Sequence, residues 1–189
     1  MMAIYLVRHA PAQVSGVCYG QSDVPVAPPA SEAAKTVLAS IDALAPGATL
    51  PFTSIVTSPT TRTRTLAEAL ARALEGIPLR VEPRLRELDF GSWEGRTWAD
   101  LEKDEGPALS AWMRAWQEAR VPGGEGAPDL VRRVREVWGE LSESGESYLL
   151  VTHAGPIRVL RSLTQSRTLS DVWAERVEHL TVERLRESS

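Results

Sequence analysis

Four short β-prone runs, each followed by a polar turn or an amphipathic stretch, restrict the folds open to this chain. They are Ala3–Val7, Ser54–Thr57, Leu79–Glu82 and Tyr148–Thr152. Runs of this length, bounded by turn residues, read as strands buried on both faces of a sheet. Helical spacing fills much of the chain between them. Ala34, Val37, Leu38, Ile41 and Leu44 share one face of a helix expected over Ala30–Leu44. A second helix is expected over Thr61–Leu74, stopped by Gly76. Leu130, Val131, Val134, Val137, Trp138 and Leu141 trace a third, and Pro156 opens a fourth that runs to Leu163. Leu101, Leu109, Trp112, Met113 and Trp116 suggest one or two short helices, and Val177–Leu185 alternates weakly, like a final edge strand. The stretches 18–29 and 122–128 are rich in turn residues and read as loops. Strand–helix alternation of this kind predicts an α/β fold: a three-layer α/β/α sandwich around a mostly parallel sheet. With 189 residues, no internal repeat and no linker, one domain over 1–189 is expected.

The net charge of −4 offers no general attraction to nucleic acid or to an anionic membrane. Positive charge must therefore act locally. Of 21 basic residues only Lys35 and Lys103 are lysines, and arginine's planar fork suits phosphate. Cys18 is the only cysteine, which excludes an intramolecular disulfide and any Cys-based zinc site. It reads as a small semi-buried residue. The start MMAIYLVRHA meets Arg8 too early for a signal peptide, and no apolar run approaches the roughly 20 residues of a membrane span. A cytoplasmic protein is expected.

The chemistry gathers after the strands. Arg8 and His9 follow the first, Arg62 the second, Glu87 the third by a few residues, and His153 the fourth. Parallel sheets bind ligands beyond the carboxyl ends of their strands. Two arginines, two histidines and a carboxylate would then share one pocket. Two guanidiniums beside a helix N-terminus suit a dianion. An imidazole aimed into such a site can attack phosphorus, and a nearby carboxylic acid can protonate the leaving oxygen. This set permits phosphoryl transfer with no metal and no cofactor.

These residues also carry a family resemblance. Leu6-Val7-Arg8-His9-Ala10 resembles the Arg-His-Gly signature of the histidine phosphatase superfamily, the phosphoglycerate-mutase-like fold. The run 57–65, with Ser58-Pro59 and Arg62, resembles its Ser-Pro-x-x-Arg motif. The run 84–95 resembles its acid-bearing segment, and 151–158 its second-histidine motif. All four occur in family order across nearly the whole chain. The resemblance implies that His9 is the nucleophile, that Arg8 and Arg62 hold the phosphoryl oxygens, and that His153 donates a further hydrogen bond. It implies Glu87 as proton donor, with Asp89 a nearby competitor. The loop 18–26 is similar to that of α-ribazole phosphatases of cobalamin biosynthesis, which implies that Gln21, Ser22, His153 and Ala154 contact the substrate.

Ala10 and Pro11 depart from the family pattern, where Gly follows the nucleophile. Three readings stay open besides small-molecule hydrolysis, and the departure motivates that of a weakened binding module. A mutase of the same superfamily is one, although the chain is short after its acid-bearing segment, where mutases usually carry insertions. A catalytically weakened phosphate-binding module and a phosphoprotein phosphatase are the others. The expected partner is a small phosphorylated substrate, with neither nucleic acid nor membrane; monomer and homodimer both stay open. The four tryptophans at 93, 98, 112 and 116 are expected in packing, and His179 in a structural role.

Overall fold

The computed structural model describes residues 3–44, 46 and 50–185. Five strands form one sheet: β1 (Ile4–Arg8), β2 (Ser54–Thr57), β3 (Leu79–Val81), β4 (Tyr148–Thr152) and β5 (Val182–Arg184). Their order is β3-β2-β4-β1-β5. The first four are parallel, and β5 runs antiparallel along β1 at the edge. The predicted sandwich with a mostly parallel sheet is thus the observed architecture.

Side chains alternate across the pleat and build one core on each face. Ile4, Leu6, Val56, Tyr148 and Leu150 point to one side. Tyr5, Val7, Ile55, Leu149 and Val151 point to the other. The second face is covered by α1 (Ala30–Leu44) and α2 (Thr61–Ala73), through residues such as Val37, Ile41, Leu66 and Leu70. The first is covered by α4 (Ala127–Ser144) and α5 (Ala154–Thr164), and α3 (Trp98–Ala115) and α6 (Leu169–Trp173) also pack against this core.

Several boundaries differ from expectation for local reasons. Leu44, placed on the apolar face of α1, is 46% exposed at the helix end. The tryptophan-rich stretch forms α3, which bends at Glu105 just before Gly106-Pro107. Proline clashes with the preceding turn and removes a helical donor, so it breaks the rod there. The fourth predicted helix starts two residues early. Pro156 becomes the third residue of α5, where its missing N–H costs no helical bond, and His153 becomes the cap. The loop predicted over 122–128 ends earlier, because Asp129 accepts from Gly126 N–H and starts α4 at Ala127. Glu82 leaves β3 to cap the following turn, accepting from Arg84 N–H. The final strand keeps only Val182–Arg184, since Leu180 holds φ 58° and interrupts the extended run.

Candidate active site

Hydrogen bonding continues one residue beyond the carboxyl ends of the central strands. His9 N–H donates to Thr152 O (3.2 Å) and Ser58 N–H to Val151 O (3.1 Å). Each strand therefore delivers its following residue at a fixed height above the same sheet edge. The cleft formed there has a volume of about 240 Å³. Arg8, His9, Arg62, Glu87 and Ala154 all line it. His153 lies against them, its ring centroid 5.1 Å from that of His9. The topology thus brings together the two imidazoles, two guanidiniums and carboxylate.

His9 is 2% exposed. Its Nδ1 lies 2.7 Å from Ala10 O. A carbonyl only accepts, so the proton sits on Nδ1 and Nε2 keeps its lone pair. Nε2 receives one long contact, 3.3 Å from Nε of Arg62. Burial, then the Arg62 charge, hold this imidazole well below its ordinary pKa. The ring is therefore a neutral base with its lone pair in the cleft. The backbone accommodates Ala10 where the resemblance would lead one to expect glycine. Among the described residues only Glu75, Ser166 and Leu180 are non-glycine positions with positive φ, so Ala10 sits in ordinary backbone space. Its methyl is buried in the core beside Val7.

Arg62 is buried within the first turn of α2. Its Nη1 donates to Ser22 O (2.7 Å) and its Nη2 to Gly20 O. The Tyr19 ring lies 5.4 Å from the guanidinium carbon, close enough for a cation–π contact. The loop that receives Arg62 is itself fixed by Glu94. That carboxylate accepts from the N–H groups of Gly20 (3.0 Å), Gln21 (2.9 Å), Ser22 (3.1 Å) and Phe90 (3.1 Å). Burial opposes the Glu94 charge, but the hydrogen bonds from Ser22, Gly20, Gln21 and Phe90 win and hold its pKa below the usual range. Gln21 and Ser22 do not line the cleft: their N–H groups face Glu94, and Ser22 meets Arg62 through its carbonyl.

Arg8 donates from Nη1 to Val177 O (2.9 Å), while its Nε is buried without a partner. His153 is fully buried. Ser58 Oγ stands 2.8 Å from its Nε2 and Thr60 Oγ1 3.3 Å, whereas its Nδ1 has no partner. Burial first, and then the neighbouring His9, Arg62 and Arg8, depress its pKa well below normal.

Glu87 sits across the cleft. Both carboxylate oxygens accept from Gly155 N–H (3.0 and 3.1 Å), and Oε1 also accepts from Leu88 N–H. A Cβ at Gly155 would collide with Oε1, so only glycine permits this approach. Behind it, Arg133 in α4 clamps the loop, donating to the carbonyls of Arg84, Arg86 and Glu87 and to Glu125. Asp89 is engaged elsewhere, accepting from Gly91 N–H (2.8 Å), and does not line the cleft.

Toward solvent the walls become aromatic. Tyr19, Phe90, Trp98 and Trp173 line the mouth together with Arg158. Arg158 donates to Glu175 O (2.9 Å) and lies 5.2 Å from the Trp173 ring. The tryptophans expected in packing thus divide. Trp93 is buried, donates to Glu105 (2.9 Å) and meets Trp112 edge-on. Trp98 is 37% exposed at the mouth, and Trp116 stacks on Trp173.

The order of groups along the chain is also that of a known family: the histidine phosphatase superfamily (branch 1) matches residues 4–188. The chain belongs to the histidine phosphatase superfamily. This histidine phosphatase is 30% identical over 183 residues to the adenosylcobalamin/alpha-ribazole phosphatase of Salmonella typhimurium, covering 94% of the chain and 86% of that protein. It is 32% identical over 180 residues to the probable phosphoglycerate mutase GpmB of Salmonella choleraesuis, covering 93% and 79%. The crystal structure of the alpha-ribazole phosphatase from Shigella flexneri is similar at a TM-score of 0.85 and 26% identity, covering 97% of this chain and 89% of that one. No helix among the described residues is long and apolar enough to cross a membrane. Burial pushes the Cys18 thiol up to about 12, which leaves it unreactive at neutral pH.

Proposed function

We propose that this histidine phosphatase hydrolyses a small phosphomonoester by way of a phosphohistidine on His9, and that its substrate is α-ribazole 5′-phosphate. One observation carries the reaction type. Two polar atoms on residues of the site are buried with no hydrogen-bond partner: Nε of Arg8 and Nδ1 of His153. Buried polar groups are rarely left unpaired, and a phosphoryl group supplies the acceptors both require.

In the proposed first step, Nε2 of His9 attacks phosphorus and the P–O ester bond breaks. Glu87, as the carboxylic acid, passes its proton to the leaving oxygen. Arg8 and Arg62 stabilise the charge on the equatorial oxygens. With the Ser58 hydroxyl donating to Nε2 of His153, that ring carries its proton on Nδ1 and donates to the same group. In the second step water attacks the phosphohistidine, the Glu87 carboxylate takes the water proton, and the P–N bond breaks to leave inorganic phosphate and neutral His9. Neither step uses a metal or a cofactor. Gln21 and Ser22 act on the phosphate through Arg62, whose guanidinium their loop orients.

The substrate assignment rests on similarity to the alpha-ribazole phosphatases and on the aromatic mouth, which suits a flat base beyond the ribose. A cytoplasmic site of action fits the lone, unreactive Cys18. The test is a hydrolysis panel in EDTA with α-ribazole 5′-phosphate, phosphoglycerates and sugar phosphates. The highest kcat/KM is expected for α-ribazole 5′-phosphate. A coupled mutase assay on phosphoglycerate with turnover matching hydrolysis would instead assign phosphotransfer, the activity named for the Salmonella choleraesuis relative.

A further inference from the structure

The mechanism above leaves one histidine unused. Nδ1 of His179 lies 2.5 Å from the main-chain oxygen of His9. Since that oxygen only accepts, His179 carries its proton on Nδ1 and donates. Its ring packs edge-on against the His9 ring, with centroids 5.3 Å apart. The residues around it grip Arg8 from the same side. Leu180 N–H donates to Arg8 O (3.0 Å), and Val177 O accepts from Nη1 of Arg8 (2.9 Å). His179 itself does not line the cleft.

The backbone here is held against its preference. Leu180 has φ 58° with a buried side chain, a conformation that a bulky L-residue rarely adopts. Such strain persists only where the surroundings over-determine it. The surroundings in this case are the hydrogen bonds to the Arg8–His9 backbone and the core that receives the Leu180 side chain.

We propose that His179 is a positioning residue for the nucleophile, setting the tautomer and aim of the His9 ring through the backbone. The His9 carbonyl belongs to the planar unit that joins His9 to Ala10. The next carbonyl, Ala10 O, is the acceptor for Nδ1–H of His9. With the first plane fixed and the Ala10 methyl seated in the core, the two Ala10 torsions between the planes are held, and with them the second carbonyl. Without the His179 donor the first plane can turn, the Ala10 acceptor moves off, and the His9 proton is free to pass to Nε2. A ring protonated on Nε2 has no lone pair there with which to attack phosphorus.

The proposal rests on the phosphohistidine reading, so its test has one arm that needs no turnover. The chain holds three histidines, and ¹⁵N-histidine labelling therefore gives a spectrum of three rings whose nitrogen shifts report tautomers. Wild type is expected to show His9 as a single Nδ1–H tautomer. His179→Asn keeps a donor near the position of Nδ1 and should preserve that state. His179→Leu and His179→Asp lack the donor and should give a tautomer mixture at His9. In the kinetic arm, on p-nitrophenyl phosphate, Leu and Asp variants are expected to lose about tenfold or more in kcat with little change in KM. His179→Asn should recover most of it. If the Leu variant does not fold, the Asp and Asn pair decides. An unchanged His9 tautomer in the Asp variant, or an Asn variant as impaired as the Asp variant, overturns the proposal. If wild type hydrolyses nothing, the phosphatase reading falls and the ring spectra alone settle the role of His179.

Discussion

The floor and the mouth of the cleft are built in opposite ways. At the floor, each reactive group is fixed by hydrogen bonds. His9 is tied to Ala10, Arg62 to the loop that Glu94 anchors, and Glu87 to the start of α5. At the mouth, Tyr19, Phe90, Trp98 and Trp173 offer faces and edges, and Arg158 is the charged group among them. Hydrogen bonds are directional and hold atoms to fractions of an ångström. Aromatic packing tolerates exchange of the group that lies against it. The floor therefore fits a role in chemistry and the mouth a role in choosing the leaving group. Changes at the floor should strike kcat, and changes at the mouth should move KM on some esters.

His9→Ala sets the largest expected effect, a loss of roughly 10⁴-fold or more in turnover on p-nitrophenyl phosphate. Retention within about tenfold would remove the nucleophile from the floor. Arg62→Ala comes next, at about 10²- to 10³-fold in kcat, accompanied by weaker competitive inhibition by vanadate. Glu87→Gln should cost about 10²-fold on an alkyl phosphate and much less on p-nitrophenyl phosphate, whose leaving group needs no proton. Equal losses on both would place the acid elsewhere. At the mouth, Trp98→Ala should raise KM for α-ribazole 5′-phosphate by roughly tenfold and leave KM for glycerol phosphate unchanged. A matching rise for both esters would erase the division between floor and mouth.

The smallest effect is on stability. The folded pKa values of His9 and His153 lie well below the unfolded value of about 6.5. Between the two, the unfolded chain binds protons that the folded chain refuses. Stability is thus fully present above about pH 6.5 and is lost as pH falls below it. Melting curves across this range should show Tm falling with pH, and His153→Asn should flatten the slope.

How legible each part was follows from the range of the interactions that create it. The strands β1, β2 and β4 and the helices α1 and α2 announce themselves through local periodicity, and chain topology then brings Arg8, His9, Arg62, Glu87 and His153 together. Arg133 carries no such signal, and Glu94, although inside the 84–95 run, has nothing local that marks it as an anchor. Each looks like an ordinary charged surface residue until distant loops fold onto it, three N–H groups from 20–22 on Glu94 and three carbonyls from 84–87 on Arg133. His179, which reads from the sequence as structural, finds its partner 170 residues away at position 9. The short helix α6 lies outside the expected elements, although the capping box of Thr168 and Asp171 is its one local mark. The loop that holds Gln21 and Ser22 is at the site, and it meets Arg62 through the carbonyls of Gly20 and Ser22.

The most direct measurement is to identify the phosphorylated residue. Enzyme mixed rapidly with ³²P-labelled substrate and quenched in alkali, where phosphohistidine survives, is digested and the labelled peptide sequenced. The account predicts a phosphate on Nε2 of His9, formed at a rate no slower than kcat. Turnover with no labelled histidine, or with the label on His153 or His179, would contradict it.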